Sequence, residues 1–122
     1  MQNQTSMNDN QTESFKIYNA ENITVVEMEG SVHQEECDEL EELLYGFFEN
    51  HKKNIVVDLQ SVNNICSSAL GLLVRFKKFL NDHGGDLKLV INTPEVFDLL
   101  KVTMMDKIFD TTDSLQEALN AF

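Results

Sequence analysis

Apolar and polar residues follow two different rhythms along this chain, and each rhythm predicts an element. From Phe15 to Tyr18, and again from Asn22 to Glu29 (NITVVEME), β-branched and apolar side chains dominate on either side of the turn-forming NAEN, which predicts a hairpin. After Gly30, the residues Cys37, Leu40, Leu44, Phe47 and Phe48 recur at the spacing of an amphipathic helix. NIVVDL, Asn54 to Leu59, is a nearly continuous apolar run and predicts a central strand covered on both faces. A polar loop is expected next, then a helix over Ser67 to Leu80, stopped by His83, Gly84 and Gly85 ahead of a strand in DLKLVI. Thr93 as N-cap with Pro94 at the first helical position starts a third helix, with Val96, Leu99 and Leu100 on its apolar face. DKIFDTTD predicts a short edge strand, and Ser114 with Glu117 forms a capping-box pattern for a last helix, Leu115 to Ala121. The order β, β, α, β, α, β, α, β, α predicts an α/β fold: a single small domain with a mixed β-sheet of about four to five strands covered by about four helices.

Composition narrows what such a domain can meet. A chain of 122 residues, 42% hydrophobic, fills one core and not two. The first stretch, residues 1–14, is polar almost throughout and is expected to be a disordered tail ahead of a domain over 15–122. The net charge of −12 argues against nucleic acid and anionic membrane as partners, because both would repel the chain. Much of that charge sits on the first helix, where Glu35, Glu36, Asp38, Glu39, Glu41, Glu42 and Glu49 meet no Lys or Arg and predict a solvated outer face. No signal-peptide pattern and no run of about 18 apolar residues is present, so no membrane insertion is expected. Cys37 and Cys66 lack CxxC or Cys/His ligand spacing and read as reduced thiols in a cytoplasmic protein with no metal and no cofactor.

The candidate chemistry gathers on the helix from Ser67. At about 100° per residue, Ala69, Leu73, Phe76 and Leu80, flanked by Leu70 and Leu72, form the core face. Ser67, Gly71, Val74, Arg75 and Lys78 form an opposite stripe, and Ser68 points about 100° away from it. Glycine inside a helix costs about 1 kcal/mol relative to alanine, so Gly71 predicts a close approach to the backbone, from within the molecule or from a partner. The two serines could simply cap the helix. A serine nucleophile would need a base, and the chain offers only His33, His51 and His83. His83 lies at the far end of the same helix, about 24 Å from Ser67. No G-x-S-x-G, P-loop or G-x-G-x-x-G is present, and no enzymatic activity is expected. Arg75, Lys77 and Lys78 read as a solvated face with a protein-contacting edge.

DLQSVNNICSSALGLLV resembles the D-S-S/T-G-L-G signature of STAS domains, the class that contains the bacterial anti-sigma factor antagonists. The likeness continues through VVEMEGSVH, HGGDLKLV, NTPEVFDLLKVTMMDKIF and DSLQEAL, and so covers about Phe15 to Phe122. The resemblance implies the STAS fold and a partner that is both an anti-sigma factor and a serine-protein kinase. It implies Ser67, ahead of Ser68, as the phosphorylated residue, with only the unphosphorylated form binding that partner. The expected partner surface is the stripe of Ser67, Gly71, Val74, Arg75 and Lys78, to which the resemblance adds His33, standing where many antagonists carry an aspartate. Cys66 replaces the family's acidic residue, Ala69 the glycine after the serines, and Met104 the glycine of T-G-L. The same family implies an alternative, an unphosphorylated STAS scaffold or transporter-associated interaction subunit. The oligomeric state stays open between a monomer and a weak dimer.

Overall fold

The computed structural model describes residues 15–122; the polar stretch expected to be a disordered tail lies outside them. Strands β1 (Phe15–Ala20) and β2 (Ile23–Val32) pair antiparallel through a two-residue turn in which Glu21 and Asn22 have φ of 55° and 68°. This is the left-handed pair that matches the twist of the strands it joins. A short 3-10 turn at Gln34–Glu36 leads into α1 (Cys37–Glu49). Next come β3 (Asn54–Ile65), α2 (Ser67–Asp82), β4 (Asp86–Val90), α3 (Pro94–Val102), β5 (Asp110–Thr112) and α4 (Leu115–Asn120). The sheet order is β1-β2-β3-β4-β5, parallel from β2 onward, with β3 in the middle and β5 at an edge, as their apolar patterns predict.

Alternation along the inner strands sends side chains to two cores. Val26, Met28, Ile55, Val57, Leu59, Leu87 and Leu89 pack with α1, α2 and α3 on one face. Ile23, Val25, Val56 and Val90 pack with Ala118 and Leu119 of α4 on the other. Successive parallel strands joined by crossovers of one hand require three helices on the same face. Both helices start where expected: Pro94 opens α3 after an extended Thr93, whose hydroxyl makes no cap bond and points to the Gln60 carbonyl, and the Ser114 hydroxyl accepts the Glu117 N–H.

The expected polar loop after Leu59 is instead strand. Residues 60–65 continue β3 and pair with the end of β2 (Ser61 with Glu29, Val62 with Gly30, Asn64 with Ser31, Ile65 with Val32), with two register shifts on the way. Only Val62 and Ile65 of this stretch are buried, so its polarity hid it.

Lys77 also departs from expectation. It is buried rather than on a solvated face, and its ammonium pairs with Asp86 and donates to the Leu87 carbonyl. Burial by itself would raise the Asp86 carboxyl. Hydrogen bonds from Lys77, Asn81, the Leu87 N–H and Lys88 overcome it and hold the carboxyl well below the usual carboxylate range. Lys88 bridges Asp86 and Asp110, and although burial lowers its ammonium, these two partners leave it above the ordinary lysine value.

Candidate functional site

The site is assembled where the sheet ends and two helices begin. β3 runs into Cys66, whose extended backbone (φ −76°, ψ 156°) makes it the N-cap of α2, and whose carbonyl accepts the Leu70 N–H at 3.2 Å. The Cys66 N–H is bonded to the Val32 carbonyl at 3.0 Å, which ties the end of β2 to the start of α2. His33 follows directly, exposed, its N–H donating to the Glu36 carboxylate at 2.6 Å. The implied contact residue His33 therefore lies on the segment bonded to the head of α2, although its side chain does not line the groove beside Ser67.

That groove, of about 530 Å³, runs between the first turns of α1 and α2. Ser67, Ser68, Gly71, Leu72 and Arg75 form one wall, and Gln34, Cys37, Asp38 and Glu41 the other. Three members of the anticipated stripe, Ser67, Gly71 and Arg75, thus share one cavity. Val74, half-buried against the core, and exposed Lys78 lie outside it. Both serines are exposed and both line the groove, so exposure does not separate Ser67 from Ser68.

Local structure gives the serines an unusual freedom. They occupy the first two positions inside α2, and the cap position belongs to Cys66, which makes no side-chain cap bond. Among the described residues, no hydrogen bond is made by either serine hydroxyl. The cap reading of the double serine is therefore not how this helix starts. Gly71 is similarly unconsumed by internal packing. A Cβ built there would meet only the Arg75 guanidinium, at an ordinary 3.8 Å, so nothing inside the molecule requires the glycine. Its effect is to leave the floor of the groove open. Arg75 makes no ion pair among the described residues.

The acidic wall was not anticipated as part of the site. Gln34, in the 3-10 turn ahead of α1, and Asp38 and Glu41 on α1 fall at helical spacing, which the sequence does show; that they look at Ser67 depends on how α1 packs on α2. Cys37 also joins the groove. Burial, and then its neighbour Cys66, push the Cys37 thiol up to about 11. None of the three histidines is placed to serve a serine nucleophile. His83 closes α2 with its Nδ1 against the Phe79 carbonyl at 2.7 Å, and His51 sits exposed in a left-handed turn after α1. Among the described residues, no cluster of His, Cys, Asp and Glu could hold a metal ion, and no helix is long and apolar enough to cross a membrane.

The fold matches that of known proteins. The family model described as STAS domain matches residues 14–118. The structure of an anti-sigma factor antagonist from Mycobacterium paratuberculosis superposes with a TM-score of 0.80 at 22% identity, covering 88% of this chain and 92% of that one. The anti-sigma factor antagonist SpoIIAA in its unphosphorylated form gives 0.76 at 14% identity over 88% of this chain and 95% of that one. The Bacillus cell fate determinant SpoIIAA in the phosphorylated form gives 0.70, also at 14% identity, over 88% and 98%.

Proposed function

This chain belongs to the STAS domain family, and from that membership we propose that it is an anti-sigma factor antagonist switched by phosphorylation at Ser67. In this reading the domain spans 15–122 and acts in the cytoplasm. It binds an anti-sigma factor that is also a serine kinase through the groove and the adjoining α2 surface, with His33, Val74 and Lys78 at its margin, and it is released when Ser67 is phosphorylated. The domain is a binding module and performs no catalysis of its own.

One observation carries the reading. Two exposed hydroxyls stand at the start of a long helix whose cap is a different residue, beside a groove floor opened by a glycine that internal packing does not use. The fold has no need of these features, and an incoming partner does. A phosphate on Ser67 adds a charge of about −1.5 to −2 at the positive end of the α2 dipole, so the domain stays folded. The same dianion faces Asp38 and Glu41 across the groove, and a partner seated there would have to desolvate it. Binding is lost while the fold is kept.

Co-purification from the native cell, followed by incubation of the recovered partner with ATP and mass mapping, tests the proposal. A kinase-type anti-sigma factor and phosphate on Ser67 are expected, and Ser67→Ala should keep binding and lose release. Recovery of transport or scaffold subunits with neither serine modified would instead favour a constitutive interaction module.

A further inference from the structure

Arg75 stands on α2 about two turns after Ser67, and its guanidinium lies back along the helix over Gly71: a Cβ built at Gly71 would be 3.8 Å from one of its terminal nitrogens. Long helical side chains lean towards the N-terminus in this way. Ser67 precedes Gly71 by four residues, so the serine is one turn, about 5.4 Å, beyond the residue that the guanidinium covers, on the same wall of the groove. Gly71 keeps the path between them low, since a side chain much longer than a methyl would stand between the guanidinium and the serine. Arg75 is the one cation among the described residues that line the groove, and it enters no ion pair there although Asp38 and Glu41 line the facing wall.

We propose that Arg75 is the internal receptor for the phosphate on Ser67, a role that rests on the phosphorylation proposed above: the guanidinium leaves its place over Gly71 and pairs with two oxygens of the phosphoserine. A guanidinium presents parallel N–H donors in a planar fork that matches a phosphate, and such charge-assisted pairs are stronger than neutral hydrogen bonds. The two walls set the direction of the pairing. Asp38 and Glu41 repel the new dianion from the α1 side, and Arg75 attracts it along its own helix. The pairing changes what the groove offers a partner. Unphosphorylated, the groove presents a guanidinium without a carboxylate; phosphorylated, that guanidinium is spent on the phosphate. Release then follows from a contact withdrawn as well as from the charge and bulk added.

The test uses the whole chain with phosphoserine inserted at position 67 during translation, so that no kinase is needed, and follows the last proton of the phosphate by phosphorus NMR. An unperturbed phosphoserine releases that proton at about pH 6. Arg75→Gln should raise the midpoint by about 1 unit relative to the phosphorylated wild type, the low end for removal of an opposite charge at contact distance. Arg75→Lys should recover part of the difference, because it keeps the charge and loses the fork. Lys107→Gln, which removes an exposed cation outside the groove, should leave the midpoint where it is. The Arg75 Nε–H resonance of the wild type should move on phosphorylation and return after phosphatase treatment. Equal midpoints in wild type and Arg75→Gln, or an equal rise in Lys107→Gln, would overturn the proposal. Arg75 is exposed, so each variant is expected to keep its fold, which melting curves check. Against the purified partner, unphosphorylated Arg75→Gln should bind at least about fivefold more weakly, the scale of an energetically significant contact; unchanged affinity would overturn the share of release assigned to Arg75. Native protein without phosphate on Ser67 is a different result: it rejects the proposed function, while the titration still decides whether Arg75 receives a phosphate placed there.

Discussion

The two ends of α2 are built for different purposes. At its C-terminal end Lys77, Asn81 and His83 all have partners. Lys77 is paired with Asp86, Asn81 donates to the Gly85 carbonyl and to Asp86, and His83 packs tilted against Phe79 and edge-on to Phe48 while its ring nitrogen meets the Phe79 carbonyl. Gly85 sits so tightly against β3's approach that an added Cβ would meet the Lys53 carbonyl oxygen far inside contact distance. At the N-terminal end, among the described residues, the hydroxyls of Ser67 and Ser68 are unused, Arg75 has no counter-ion, and a Cβ on Gly71 would meet only the Arg75 guanidinium, at 3.8 Å. Two glycines on one helical unit therefore mean opposite things: Gly85 is demanded from inside, and Gly71 is not.

The largest expected effect lies at the packed end. Gly85→Ala should lower stability by about 3 kcal/mol in chemical denaturation, because the methyl collides with backbone that cannot yield. A loss near zero would break the contrast.

Lys77→Met should cost about 2 kcal/mol, since it strips a half-buried carboxylate of its closest cation. The same network predicts an acid dependence. The folded Asp86 carboxyl lies below its unfolded value of about 3.9, so its contribution is complete above about pH 4 and is lost as pH falls through the folded value. Asp86→Asn should be less stable at neutral pH yet decline less steeply in acid, as read from melting curves across that range.

Gly71→Ala should raise stability by about 1 kcal/mol, the ordinary helix-propensity gain, because no neighbour resists the methyl. If partner affinity falls at the same time, stability was given up at this position for binding. Destabilisation would mean that the groove is packed from within.

The smallest effect belongs to Ser67→Asp, expected to shift stability by under about 0.5 kcal/mol, since an acid in the first turn of a helix is mildly favourable. Calorimetry against the partner should show weakened binding in the same protein. A carboxylate is smaller than a phosphate and carries less charge, so phosphoprotein should show the larger loss.

The order of strands and helices, the central place of β3, the core face of α2, the start of α3 at Pro94 and the cap at Ser114 were legible in sequence, because each follows from local periodicity, backbone geometry or local hydrogen bonding. The motif around Ser67 was legible as well, as a family pattern. The second half of β3 was not: Gln60, Ser61, Asn63 and Asn64 are polar, and only pairing with β2 makes them a strand. The burial of Lys77 was equally hidden, since a lysine on a helix reads as solvent-facing until Asp86 is brought beside it.

Sequence by itself thus determined which segments could be helix or strand and which residues could carry a phosphate, since period, propensity and side-chain chemistry act over a few neighbouring residues. The tertiary structure decided the rest: Cys66 rather than a serine as the cap of α2, and the α1 carboxylates opposite Ser67. Each of these depends on the placement of one element upon another, which is set by the burial of shared apolar surface and by sheet register, and no local stretch of chain records it.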